Sequence, residues 1–188
     1  MELFYIRQII EGDISRFSFF VETYKDMSFA IAYRITDNRE DAEEVVQDSF
    51  VKAYRSLHQF RQDSRFSTWL FRIVVNVALS KVKKNKKNIV SDIDLAMLPD
   101  DLIESVEATY KEFTHAEQKK IINRALDEME REDRLLLTLY YLNENSIDEI
   151  NSITAIRADN IKMKLHRARK KMYSRLHKIL QSSIKEPV

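Results

Sequence analysis

The side chains best placed to do chemistry in this sequence are cationic. The run FSTWLFRIVVNVALSKVKKNKK, residues 66–87, begins aromatic and apolar and ends with Lys81, Lys83, Lys84, Lys86 and Lys87. On a helix, at about 100° per residue, Arg72, Asn76, Ser80, Lys83 and Lys87 fall within an arc of about 80°. Leu70, Ile73, Val74 and Val77 take the opposite side, with Phe66 and Trp69 at the entrance. One face suits a core. The other offers a guanidinium, an amide, a hydroxyl and ammonium groups, which are the groups that meet phosphate oxygens and base edges. A solvated basic helix end, favourable to the helix dipole, produces the same pattern.

A second basic run, DNIKMKLHRARKKMYSRLHKIL, covers residues 159–180. Ile161, Leu165, Ala168, Met172, Leu176 and Ile179 keep to a stripe of about 80°. Lys162, Lys164, Arg167, Arg169, Lys170, Lys171 and Arg175 spread over the remaining surface. Just upstream, in SIDEINSITAIRA, Ser146 and Glu149 have capping-box spacing, and Ile147, Ile150 and Ile153 face one way. A short turn at Thr154–Ala158 separates this helix from the basic one. A short support helix followed by a basic helix is helix-turn-helix geometry, in which the second helix enters a major groove with its N-terminal turns. Ordinary helical hairpins share the spacing; the charge of the second helix, with Arg157 and Asn160 at its start, favours nucleic acid.

Two smaller constellations complete the set. Phe60, Phe66 and Trp69 bracket the polar loop RQDSR, which contains Arg61 and Ser64. A ring at a loop–helix junction can receive an unstacked base, whereas a hydrophobic staple closing the helix start is the plainer use. In REDAEEVVQDSFV, Glu40, Glu44 and Asp48 share a side through i,i+4 spacing, with Gln47 and Val51 beside them. That side is an acidic docking strip or a solvated face. His58, His115, His166 and His177 show no ligand spacing with carboxylates, so neither a metal, a cofactor nor a catalytic constellation is expected.

The elements that position these groups follow from composition and period. The 188 residues are 44% hydrophobic and 32% charged, with one glycine, two prolines and no cysteine. This supports a real core and excludes disulfides and cysteine-ligated metal sites. A single Gly12 is incompatible with a P-loop or dinucleotide fingerprint and favours helices joined by short Asn, Asp and Ser loops. The start MELFYIRQIIEGD does not read as a signal peptide, and no stretch approaches ~20 apolar residues, so a cytoplasmic protein without membrane insertion is expected. The net charge of +1 hides an uneven distribution. Residues 61–87 carry +7 and residues 157–178 carry +8, against −6 over 88–112 and −4 over each of 1–56 and 113–156. Two local anion-binding surfaces follow.

Helical periodicity predicts elements at about 2–11, at 13–35 with Asp13 as cap, from Asn38 to Leu57, and from a Ser67 cap to the lysines. Further helices are predicted at 115–130, 131–142, 147–154 and 159–180. The acidic, Pro99-containing stretch 88–112 reads as a linker with a short helix near 101–110, able to fold back on a basic surface. The predicted fold is all-α: two small helical domains, 1–87 and 113–188, joined by the acidic linker, the second containing a helix-turn-helix.

These residues carry a family likeness. AYRITDNREDAEEVVQDSFVKAYRSLHQFRQDSRFSTWLFRIVVNVALSKVKK resembles region 2 of an extracytoplasmic-function (ECF) RNA polymerase sigma factor. ALDEMEREDRLLLTLYYLNENSIDEI with DNIKMKLHRARKKM resembles region 4 of the same family. The resemblance implies a non-enzymatic transcription initiation factor whose partners are core RNA polymerase, promoter DNA and, in many members, an anti-sigma factor. It implies that Glu40, Glu44, Gln47, Asp48 and Val51 dock on the polymerase. Phe60, Arg61, Ser64, Phe66, Trp69, Arg72, Asn76, Ser80, Lys83, Lys84 and Lys87 would meet the −10 region. Arg157, Asn160, Lys162, Lys164, Arg167, Arg169 and Lys170 would meet the −35 element. Against the family pattern, Ser80 stands for a usual aspartate, Asn151 for an alanine, Ala155 for a turn glycine and Met163 for a small polar residue. A buried Asn151 amide without a partner would cost ~1–3 kcal/mol, and a turn of positive φ would strain Ala155. A helix-turn-helix regulator that does not recruit polymerase, and a helical interaction protein with solubilising basic ends, are the competing readings.

Overall fold

The computed structural model describes residues 1–84, 106, 109–111 and 113–185, with backbone alone for Lys84 and residues 183–185, and all regular structure among the described residues is helical. Helix α1 spans Glu2–Ile10 and ends in a bend at Gly12, whose φ of +113° is open to glycine. A 3₁₀ turn, Ile14–Arg16, leads into α2, Phe17–Thr36. The Asp13 carboxylate accepts from Ser15 Oγ at 2.5 Å and Arg16 Nε at 3.0 Å. It therefore organises this turn instead of capping the long helix.

Asp37 closes α2 in the left-handed conformation (φ 59°). Asn38 then starts α3, Arg39–Arg55, by accepting the Asp41 N–H at 2.9 Å. After a 3₁₀ turn at Leu57–Gln59 comes α4, Phe66–Lys84. It begins two residues earlier than a Ser67 cap requires: the Trp69 N–H bonds to the Arg65 carbonyl at 3.2 Å, leaving Ser67 in the first turn. Helix α5, His115–Asp127, has a capping box of Thr114 and Glu117. Helix α6 covers Arg131–Leu137 and passes into a π-helical turn, Thr138–Leu142. Sequence periodicity joins these two into one helix, because an extra residue in a single turn leaves the apolar pattern nearly intact. Helix α7, Ile147–Thr154, carries the anticipated capping box, with Glu149 N–H to Ser146 Oγ at 3.2 Å and Ser146 N–H to Glu149 Oε2 at 2.9 Å. Helix α8 runs from Ala158 to Lys185.

By internal contacts the chain forms two compact units, Met1–Asn88 with Thr138–Ile161, and Ile89–Leu137 with Lys162–Val188. In the first, α2, α3 and α4 pack on one another around Phe20, Ile31, Ile35, Val45, Leu70 and Val74, and α7, with Ile150 and Ile153 buried, packs on α4. In the second, Val106, Ile121, Ala125, Leu176, Ile179 and Leu180 form the core. Helix α7 thus clusters with the N-terminal helices, although sequence order groups it with the C-terminal half. The predicted 88–112 linker, with its short helix, falls largely outside the described residues.

Two departures from the sigma pattern meet in the α7–α8 turn. Ala155 adopts φ 60° and ψ 15°, the left-handed conformation its position demands, so the anticipated strain is present. The Asn151 amide is not an orphan: Nδ2 donates to the Ile156 carbonyl at 2.6 Å, tying the far side of the turn back to α7. Ala155→Gly should therefore raise unfolding free energy by about 0.5–1 kcal/mol, relief of the left-handed Cβ outweighing glycine's entropy. Asn151→Ala should lower it by about 1 kcal/mol. Urea unfolding followed by circular dichroism measures both, and a destabilising glycine would contradict this account of the turn.

Candidate nucleic-acid interface

Aromatic packing sets the loop before α4. Phe66 is 2% exposed, its ring 4.3 Å from Phe20 and 5.7 Å from Tyr24. It belongs to the core and does not face a ligand. That corrects its expected place among the base-facing rings: the first apolar residue of the helix is the one that anchors it. Phe60 stands edge-on to Phe66 at 5.7 Å, and Trp69 lies 5.6 Å from Phe66 and 5.3 Å from Phe60. These two outer rings are half-buried. Arg61 and Ser64 are exposed beside them, and Arg72, Asn76, Ser80 and Lys83 are exposed along α4. The Ser80 hydroxyl donates to the Asn76 carbonyl at 2.7 Å. Only the backbone of Lys84 is described, and Lys87 lies outside the described residues.

Lys81 points the other way. Its ammonium binds Glu44 at 2.5 Å and Asp41 at 3.0 Å, and the Glu44 hydrogen bond, followed by that of Asp41, raises its pKa. One member of the lysine run is thus a clasp between α4 and α3. Glu40, Glu44, Gln47, Asp48 and Val51 are all exposed on α3. Val51 also borders an open apolar groove of about 500 Å³, lined by Phe17, Val21, Phe50 and Tyr54 among others.

Helix α8 shows a similar division of labour. Arg157 before it, and Asn160, Lys162, Arg167 and Arg169 on it, are exposed, as is Met163. Lys164 is half-buried, its ammonium 2.5 Å from Glu132; Lys170 is half-buried as well. Lys171 reaches Asp133 at 2.7 Å and Glu130 at 3.7 Å, and Arg175 reaches Glu128 at 3.8 Å. Burial works against the Lys171 charge, but the Asp133 hydrogen bond and the charges of Asp133 and Glu130 outweigh it and raise the pKa. The cations of α8 are therefore not spread evenly. Some neutralise acidic residues of their own unit, while the others face outward.

The pattern of residues gave no sign of one further contact. Arg65 Nε and Nη2 donate to the two carboxylate oxygens of Glu149, each at 2.5 Å, and Thr68 Oγ1 donates to Glu149 Oε1 at 3.1 Å. These partners lie 84 and 81 residues from Glu149, beyond the reach of any local period. The only legible clue was the capping box that already orients Glu149. Its pKa is held down to about 2 by the Arg65 hydrogen bonds first, then the Ser146 N–H and Thr68, with burial opposing.

Two family models match this chain: Sigma-70 region 2 over residues 20–88, and Sigma-70, region 4 over residues 119–172. The chain belongs to the ECF family of RNA polymerase sigma factors. The ECF RNA polymerase sigma factor SigW of Bacillus subtilis (strain 168) is 28% identical to it over 186 residues, covering 91% of this chain and 94% of SigW. The ECF RNA polymerase sigma-E factor of Salmonella typhimurium (strain LT2) is 29% identical over 184 residues, covering 94% of each chain. Two solved structures share the fold. CnrH, in complex with the cytosolic domain of CnrY, has a TM-score of 0.61 at 19% identity, covering 91% of this chain and 94% of that one. The sigma factor RpoE from Bartonella quintana, in complex with the anti-sigma factor NepR, has a TM-score of 0.62 at 19% identity, covering 85% and 96%. The aromatic loop and α4 of this sigma factor fall in the region 2 match, and α7 with most of α8 in the region 4 match. Among the described residues no helix is long and apolar enough to cross a membrane.

Two measurements probe this geometry. Phe66→Ala should cost about 3–5 kcal/mol of stability, as for a buried core phenylalanine, and Phe60→Ala clearly less. Similar costs at both positions would contradict the assignment of Phe66 to the core. The second concerns Glu149, whose pKa falls from 4.5 in the unfolded chain to about 2 on folding. Its contribution is complete above about pH 4.5 and disappears as pH falls toward 2. Arg65 is 57% exposed, so solvent screens the pair to about 1 kcal/mol. Urea midpoints should fall less between about pH 5 and pH 3 in Glu149→Gln than in the native chain; parallel pH profiles would contradict the pairing.

Proposed function

We propose that this sigma factor binds core RNA polymerase, reads a promoter at two separated elements, and opens the DNA by trapping unstacked bases. In this reading residues 1–87 serve the polymerase and the −10 region, and residues 113–188 serve the −35 element. Phe60 and Trp69 receive an unstacked base, while Arg61, Ser64, Arg72, Asn76 and Lys83 hold the strand around it. Arg157, Asn160, Lys162, Arg167 and Arg169 meet the duplex, some at base edges and others at phosphate. Lys164 joins them only by leaving Glu132. Glu40, Gln47, Asp48 and Val51, with the adjoining apolar groove, dock on the polymerase. Opening needs no nucleotide hydrolysis, since captured bases and polymerase contacts supply the free energy.

The observation that carries this reading is the sorting of charge. In each sigma-matched segment, one subset of cations is neutralised by internal carboxylates and another faces outward, beside paired rings in one case and at a helix-turn-helix in the other. CnrH and the Bartonella quintana RpoE are each seen with CnrY or NepR. We extend this to an anti-sigma partner that covers the same outward surfaces.

Run-off transcription with core polymerase on a randomised promoter library tests the proposal. The chain should select a two-element promoter. Glu40→Gln with Asp48→Asn, which leaves the Lys81 clasp intact, should weaken association with core polymerase by about tenfold or more. Arg167→Ala with Arg169→Ala should weaken duplex binding and reduce its salt dependence by about two ionic contacts. A chain that binds duplex normally but neither associates with core polymerase nor stimulates it would instead be a regulator of the helix-turn-helix type.

A further inference from the structure

We propose that Arg65 and Thr68 form a binding site for a backbone phosphate of the single-stranded promoter DNA, and that Glu149 occupies this site in the unbound protein as an internal substitute for that phosphate. The inference rests on the reading of the Phe60–Trp69 loop as the strand-capturing element and adds to it a residue pair and a means of restraint.

The site is built from two side-chain donors. Arg65 offers a guanidinium edge, and its Nε and Nη2 grip two oxygens of one anion at 2.5 Å each. A phosphodiester presents two non-bridging oxygens to the same planar fork, which is why arginine serves both anions. The Thr68 hydroxyl reaches one of those oxygens at 3.1 Å, and with Thr68 1% exposed its position is fixed by the surrounding core. Both residues stand at the start of the 19-residue helix α4, where the helix dipole favours negative charge. Location supplies the function. Arg65 directly follows the exposed Ser64 and precedes Phe66, whose ring supports Phe60 and Trp69. A strand with one base against those rings runs its backbone past this guanidinium.

Glu149 is a well-made substitute. It is fixed by the capping box of α7, and its side chain is 19% exposed. It fills the fork without any ligand and holds the first turn of the helix-turn-helix against the strand-capturing loop. Phosphate and carboxylate then compete for one guanidinium. Strand capture therefore breaks the polar tie between the loop and the start of α7, while buried Ile150 and Ile153 keep α7 packed on α4. In the unbound protein single-stranded DNA must displace an internal anion, so its affinity is lowered until that contact is broken.

The experiment uses the full chain and a fluorescein-labelled, mixed-sequence single-stranded DNA dodecamer, with binding read by anisotropy at 0.1 M salt. Glu149→Gln removes the charge while glutamine still serves a capping box, so α7 keeps its start. It should bind up to about fivefold more tightly than the native chain, the equivalent of the roughly 1 kcal/mol pair, and adding Arg65→Gln should abolish that gain. Asp148→Asn removes the same charge one residue away, on an exposed position outside the fork, and should change affinity less than twofold. Three results would each overturn the proposal: unchanged affinity in Glu149→Gln, an equal gain in Asp148→Asn, or a gain that survives loss of Arg65. Circular dichroism and urea midpoints verify folding of each variant; if Glu149→Gln is unfolded, Arg65→Gln alone decides. There, dodecamer affinity unchanged in complex with core polymerase contradicts a phosphate site, and an approximately tenfold loss supports it. Run-off transcription separates this idea from the wider one. A native chain that drives core polymerase while Glu149→Gln gains nothing refutes the phosphate site alone; a gain without any stimulation of polymerase refutes the promoter-opening role.

Discussion

Phe66 determines which way α4 faces. Its ring is locked among Phe20, Tyr24, Phe60 and Trp69, and a helix anchored at its first residue has its rotation set for the rest of its length. With that rotation, Leu70, Phe71, Val74, Val75 and Ala78 enter the core, and Arg72, Asn76, Ser80 and Lys83 stay outside. The same ring props Phe60 and Trp69 at the loop. Packing and recognition are therefore two sides of one helix, and the apolar side comes first.

Electrostatics then refines what packing has arranged. Lys81, Lys164 and Lys171 are bound by acidic residues of their own unit, so basic residues in a run do not contribute equally to an outward field. The pairing narrows each basic run to a smaller set of outward cations, which makes a local grip on a polyanion possible in a molecule of net charge +1. The Arg65–Glu149 bond belongs to the same economy of charge: a group suited to phosphate is satisfied internally while no phosphate is present.

Local rules in the sequence made much of this legible. Period placed the long helices, Asn38 and Ser146 marked helix starts that the structure retains, and Ser146 with Glu149 announced the helix-turn-helix. The misjudged features depend on distant partners, on one helix start or on one extra residue in a turn. Sequence alone leaves Phe66 open to a base-facing or a stapling role, because its partners Phe20 and Tyr24 come from another helix. The Ser67 cap failed because α4 begins two residues early, and the π-helical turn after Leu137 was invisible to a 3.6-residue pattern. Asn151 seemed an orphan only until Ile156, across the turn, supplied a carbonyl. Which cations are already paired, and that Arg65 meets Glu149, requires the tertiary fold.

The central claim is that the rings before α4 and the outward arginines of α8 meet the same promoter within one polymerase complex. Photocrosslinking tests it most directly, with p-benzoylphenylalanine in place of Phe60 in one protein and in place of Arg167 in another, each assembled with core polymerase on a promoter obtained by selection. The account predicts that position 60 crosslinks to the non-template strand of the opened −10 region and position 167 to duplex DNA at the upstream element. Open complexes that form normally while both positions crosslink only to protein would contradict it.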